Sequence, residues 1–217
     1  MLKLNLQFHG APGYTTSLRE ETFENLQLNA GAFFKNADYS SIANAGALKT
    51  AIAAARAGTT GALGTLLGAT RGGGSFTVTR DTRQPEVDGR RYGFVGDTFV
   101  DSIEAQLSTT LVEITPDNLV AAFGSASITG SSPKQTIKLG TAIDTDDYLE
   151  NVCWVGDLAD GRYVLICLKN ALNQANFSLT WTDKGEGTLP VEFHAKQDNY
   201  DDYDYAPFEI VYFGPAT

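Results

Sequence analysis

The side chains able to do chemistry are few and scattered. His9 and His194 are the only histidines, and neither lies in an HExxH or other metal-ligating spacing. Each reads as a surface or edge-strand residue. No GxSxG occurs, and no Ser or Cys has a basic partner in a recognisable order, so no nucleophile–base pair is suggested. Cys153 and Cys167 straddle a hairpin turn. A three-residue loop would pair position 158 with 162 and set Cys153 opposite Cys167. A two-residue loop, Asp160-Gly161, would offset them by one. Buried reduced thiols are the expectation. Gly68–Ser75 (GATRGGGS) has a phosphate loop's glycines without the GxxxxGK[S/T] order, and it precedes a strand. Asp198–Tyr205, DNYDDYDY, could hold calcium through hard oxygens but lacks the EF-hand spacing. A solvated acidic loop is the plainer reading. An acidic surface past which DNA slides is a third. Trp154, Trp181 and the C-terminal tyrosines could line a sugar-binding face, although alternating strand aromatics usually belong to a core. No catalytic residue, cofactor or metal site is expected.

The elements that would position these groups are mostly strands. From Ile103 to Leu111 the odd positions Ile103, Ala105, Leu107 and Leu111 are apolar, and the even positions Glu104, Gln106, Ser108 and Thr110 are polar. That period of two marks a half-buried strand. Val112 and Ile114 switch parity, which predicts a bulge or a crossing into a second sheet. Thr115 then reads as an N-cap, Pro116 as the first helical residue and Gly124 as the C-terminal stop. Leu119, Val120 and Phe123 would form the apolar stripe of that helix. Asn44 caps a second predicted helix, Ala45–Ala57, with Leu48, Ala51, Ile52 and Ala55 on one face. Val152–Leu158 and Arg162–Leu168 predict a hairpin apolar on both faces, hence central or covered by another subunit. Further strands are expected at Phe23–Phe34, Ser75–Arg83, Gln135–Leu139, Phe177–Trp181, Leu189–Ala195 and Phe208–Phe213. Ser125–Lys134 reads as a loop. Gly58–Gly74, with its many glycines, is expected to be a loop that orders against a partner.

Composition narrows the class. A chain of 217 residues with 22 glycines, 42% apolar and 19% charged residues reads as one globular, turn-rich β domain. Roughly eight to ten strands and two helices suit a sandwich or barrel. The net charge of −10 disfavours ordinary nucleic-acid binding. No apolar run is long enough to span a membrane. Leu2, Leu4, Leu6 and Phe8 alternate with Lys3, Asn5, Gln7 and His9, a strand pattern rather than a signal peptide, so a cytosolic product is expected.

The segments LGATRGGGSFTVTRDTRQPEVDG and DSIEAQLSTTLVEITPDNLVAAFG resemble the major tail tube proteins of long-tailed bacteriophages and prophages. That family shares a GATxGG loop, an F-x-V strand, a VDG turn and a TTLxEITxxN strand–helix. NVCWVGDLADGRYVLICLKNAL, FSLTWTDKGEGTLPVEFHA and PFEIVYF are similar to its KNAL hairpin, DKxE turn and closing strand. The resemblance runs from about Glu24 to Phe213.

It implies a mainly β, tail-tube-type β-sandwich or half-barrel with one or two flanking α-helices. It also implies a non-enzymatic subunit whose six-copy rings stack into a hollow tube that DNA transits without specific binding. Its partners would be itself and, among other tail proteins, the tape measure, tail terminator and tail tip. Its place would be the virion tail, assembled in the host cytoplasm. On this reading residues 1–22 are an extended arm, with Leu2, Leu4, Leu6 and Phe8 as assembly contacts. Residues 44–74 are a helix plus a Gly-rich assembly loop carrying Leu63, Leu66, Leu67 and Arg71. Glu104, Gln106, Ser108 and Thr110 face the lumen. The helix at 115–124 covers the outside of the sheet or fills a subunit seam. The alternative is a carbohydrate-binding β-sandwich of a receptor-binding tail component.

Overall fold

The computed structural model describes residues 19, 21–27, 29–199 and 204–215. In chain order it forms β1 (Ala32–Lys35), α1 (Ala45–Arg56), β2 (Thr65–Leu66), β3 (Thr70–Arg83), β4 (Phe99–Leu111), α2 (Pro116–Phe123), β5 (Ala126–Ser131), β6 (Lys134–Leu139), β7 (Leu149–Asp157), β8 (Tyr163–Asn173), β9 (Leu189–His194) and β10 (Phe208–Phe213). The protein is mainly β, a sandwich-like fold with two α-helices.

β8 belongs to both layers. Its first half lies between β7 and β10, and its last two residues, Leu172 and Asn173, pair with His194 and Phe193 of β9. One layer is therefore β2-β1-β7-β8-β10 and the other β9-β4-β3, all antiparallel. Between them Phe33, Val152 and Leu168 meet Leu107, Leu111, Val191 and Phe193. On the far side of the first layer, Phe34, Cys153, Leu165 and Cys167 pack with Leu48 and Ala55 of α1. This explains why β7 and β8 are apolar on both faces: each face has its own cover. α1 starts where expected, with the Asn44 side chain accepting from the Ala47 N–H.

α2 is likewise capped by Thr115, with Pro116 at its start and Gly124 in the left-handed region at φ 75°. Its deep face differs from the expected stripe. Ala121 and Ala122 enter the core between the layers, together with Asn118, while Leu119, Val120 and Phe123 are only partly buried. Asn118 fits because its amide donates to the Leu67 carbonyl at 2.8 Å and the Glu113 carbonyl at 2.9 Å. Phe123 stacks instead on Phe177 at 3.9 Å.

Several expectations are corrected. The parity switch at Val112 is the end of β4, not a crossing. Of Phe23–Phe34 only the end is a strand, and residues 21–25 form a turn. Phe177–Trp181 contributes a single bridge, Thr180 to Thr188. The Ser125–Lys134 loop is largely β5, paired with β6 as a separate hairpin. Cys153 and Cys167 face each other directly, as the three-residue loop requires, but they are joined as a disulfide with a Cα–Cα distance of 4.1 Å rather than left reduced.

The Gly-rich segment is corrected most. Thr70–Gly74 already belongs to β3, with a register shift between Thr70 and Gly74. A Cβ on Gly74 would lie 2.6 Å from both the Phe33 ring and the Ser108 carbonyl. There the missing side chain serves close approach of the layers, not disorder. Leu63 and Leu67 are each 1% exposed, and Leu66 is partly buried. These leucines are covered by their own chain, so Leu63 and Leu67 are not surface assembly contacts.

Candidate functional site

β4 is where the alternating pattern takes effect. Ala105, Leu107, Thr109 and Leu111 point into the core beside Phe193, Val191 and Leu189 of β9. The alternate residues form the opposite face. Gln106 lies between Thr77 of β3 and His194 of β9, and Ser108 between Ser75 and Glu192. Glu104 pairs with Thr79, and Thr110 with Pro190. The Ser75 and Ser108 hydroxyls are 2.8 Å apart. Glu104, Gln106, Ser108 and Thr110 thus share one polar face, and no described strand or helix is layered over it.

His194 departs from expectation. It is only 6% exposed, although its neighbours on that face are wetter. Its Nδ1 lies 2.8 Å from Glu104 Oε1 and its Nε2 2.8 Å from Glu192 Oε1. Glu192 is fixed in turn, because its backbone N–H donates to Asn173 Oδ1 at 2.6 Å. Asn173 is itself buried and donates to the Ala122 carbonyl at 2.6 Å. With both ring nitrogens on carboxylates, the imidazole is not placed to deprotonate a hydroxyl. Sequence reasoning missed this cluster because its members come from β4 and β9, 88 positions apart for Glu104 and Glu192 (192 minus 104). The one available signal was that Glu192 and His194 share strand parity.

β3 and β4 also continue past the core as a two-stranded ribbon. Arg83 donates to Asp101 at 2.7 Å and lies over the Phe99 ring, and Ser102 donates to Asp81 at 2.9 Å. Val78, Phe99, Val100 and Ile103 are 41–51% exposed. At the tip Tyr92, Phe94 and Val95 are more exposed still. Yet the tip is built. Arg90 donates to the carbonyls of Pro85 and Tyr92 and to Gln84, and is ion-paired with Asp97. The Phe94 N–H, then Arg90 and Thr98, hold the Asp97 carboxyl below its usual range against the opposing effect of desolvation.

Arg71 is exposed beside the bulge and pairs with Glu186 at 3.3 Å. Leu2, Leu4, Leu6 and Phe8 lie outside the described residues, as do residues 200–203 of the acidic run. Trp154 is tied by its indole N–H to the Ala30 carbonyl, whereas Trp181 is 73% exposed. Burial, and then the hydrogen bond that the phenol donates to Glu209, push the Tyr39 phenol up to about 12. Lys169 holds Glu209 below the usual carboxylate range.

No protein-family model matches this chain, and no curated protein does. Function therefore rests on geometry and on the motif resemblance. Among the described residues no cluster of His, Cys, Asp and Glu could hold a metal ion, and no helix is long and apolar enough to cross a membrane. The arrangement presents a polar sheet face, an apolar ribbon, and sheet edges along β3 and β10 that carry no second strand among the described residues.

Proposed function

We propose that this protein is a non-enzymatic structural subunit of a bacteriophage tail tube, forming stacked hexameric rings around a lumen through which DNA passes. The observation that carries the reading is the double character of the β3–β4 ladder. Within the core it buries one face and leaves Glu104 exposed and Gln106, Ser108 and Thr110 partly exposed on the other. Beyond the core it presents apolar residues that remain exposed among the described residues. A monomer gains nothing from such surface, but an assembly does. The polar face suits a channel wall, because carboxylates and hydroxyls offer phosphate no cationic grip and the chain as a whole is acidic. The open edges suit head-to-tail contacts between copies, which close into a ring when the rotation allows. The other partners on this reading are the tape measure, terminator and tip proteins. The place of action is the virion tail after assembly in the host cytoplasm.

Electron microscopy of the purified protein tests this. Hollow tubes of stacked sixfold rings are expected. A persistent monomer in the presence of the other tail proteins would overturn it. One observation favours a second reading, a carbohydrate-binding tail component: the exposed indole of Trp181. Glycan binding that disappears in Trp181→Ala with folding intact would favour it.

A further inference from the structure

The β5–β6 hairpin stands apart from the two layers as its own two-stranded sheet. Its register divides it into two unlike faces. On one, Ile128 lies opposite Ile137 and Ala126 opposite Leu139. The two isoleucines are partly buried, and α2 is the helix that the hairpin contacts. On the other, Ser127 lies opposite Lys138, Thr129 opposite Thr136 and Ser131 opposite Lys134. All six of these residues are exposed. Residues paired across adjacent strands point the same way, so two lysines and four hydroxyls share one exposed surface.

That surface has the opposite sign to the chain as a whole. Residues 126–139 hold two lysines and no Asp or Glu, a charge of +2, which leaves −12 for all other residues (−10 minus +2). The hairpin lysines are also unmatched. Among the described residues the one lysine ion pair is Lys169–Glu209. Asp144, Asp146, Asp147 and Glu150 follow soon after Lys138 in sequence, yet the ion pairs of the described residues include neither these carboxylates nor Lys134 and Lys138. Asp147 instead accepts the Asp144 N–H at 2.8 Å, and Asp144, Asp146 and Glu150 are exposed. One copy therefore displays a cationic patch and a carboxylate patch that do not satisfy each other.

We propose that the lysine face of the β5–β6 hairpin docks on a second copy of this chain, against that copy's Asp144–Glu150 segment. Charge complementarity selects this partner. Every other copy brings a surplus of carboxylates, whereas a polyanion such as DNA would find two cations on a chain that otherwise repels it. A contact between two different patches leaves each copy with one of each still open, so it repeats from copy to copy. Exposed charges of this kind steer approach and fix register more than they add affinity. The contact deepens the tail-tube reading, and rests on it for the shape of the assembly alone.

Charge reversal in trans tests this by sedimentation velocity. One protein carries Lys134→Glu and Lys138→Glu, the other Asp146→Lys and Glu150→Lys. All four positions are exposed, and thermal melting checks that both proteins keep the fold. Each alone should associate about tenfold more weakly than wild type. An equimolar mixture should regain association, because each patch then meets the opposite sign on the other protein. Added salt should weaken wild type and mixture alike. Unchanged association in the folded hairpin variant, or a mixture no better than its components, would overturn the contact. Wild-type tubes seen alongside that result would leave the tail-tube reading standing. Wild type that forms some species other than tubes, yet follows the reversal pattern, would support the contact while the tail-tube reading fails. A wild type that stays monomeric at every concentration overturns both. Labelled duplex DNA retained by wild type but not by the hairpin variant, with self-association equal in the two, would overturn the contact and assign the lysines to a polyanion.

Discussion

The β7–β8 hairpin and the β3–β4 ladder are both long antiparallel pairs, yet they are stabilised in different ways. β7 and β8 are covered on both faces, by α1 on one side and by β4 and β9 on the other. β4 is buried on one face from Ala105 to Leu111, whereas Phe99 to Glu104 are exposed. The first pair is stabilised by burial. The outer half of the second depends on ladder hydrogen bonds and exposed pairs such as Arg83–Asp101, each worth about 0–1 kcal/mol. Stability and availability are thus divided between regions. The hairpin is stabilised by the two cores, and the ribbon leaves its apolar residues exposed among the described residues.

The largest effect should come from the buried side. Phe193 is fully buried and points from β9 into the core between the layers. Phe193→Ala should cost about 3–5 kcal/mol in chemical denaturation. A cost near zero would mean that the space between the layers is not the core. Asn118→Ala tests the same region at smaller scale. It strands the Leu67 and Glu113 carbonyls and should cost about 1–3 kcal/mol.

The contrast also explains what could be read from sequence. Capping chemistry is local, so Asn44, Thr115 and Gly124 marked both helices closely. Continuous apolar runs identified the central hairpin because burial on two faces leaves no polar position. Alternation identified β4 but not the limit of its cover. Ile103 keeps the apolar parity of Ala105 and Leu107 in a stretch the core has already left, since a period of two reports two faces and not what lies against them. Gly72–Gly74 read as a loop because glycine is locally a breaker. Its use against Phe33 is a tertiary fact. Leu63 and Leu67 read as unpartnered for the same reason. The His194 cluster required the β4–β9 register, which no local signal supplies.

The ribbon tip should respond to acid before the core does. Asp97 has its carboxyl held below the usual range, so its contribution is present above the ordinary carboxylate range near pH 4 and is lost as pH falls through the lowered value. Acid should therefore loosen residues 84–98 while the core amides of β7 and β8 stay protected in hydrogen exchange. Arg90→Ala should reproduce that loosening at neutral pH, read as faster proteolysis at the tip with the global melting temperature little changed. Simultaneous loss of core protection would show that the ribbon and the core unfold as one unit.

The smallest effect on the monomer should accompany the largest effect on assembly. Phe94 is 69% exposed and Val95 fully so, and neither contributes to either core. Replacing both by serine removes little burial and should change folding stability by no more than about 0.5 kcal/mol. Exposed apolar residues on a tip held rigid by Arg90 are nevertheless costly to leave in water, and a neighbouring copy would cover them with little further ordering. If the tail-tube reading holds, the double variant should stay monomeric, or form isolated rings, under conditions in which wild type sediments as tubes. Tubes of normal length would remove the tip from the set of assembly contacts. A stability loss comparable to that of Phe193→Ala would instead show that the ribbon belongs to the fold's own core, and the division between the two ladders would fail.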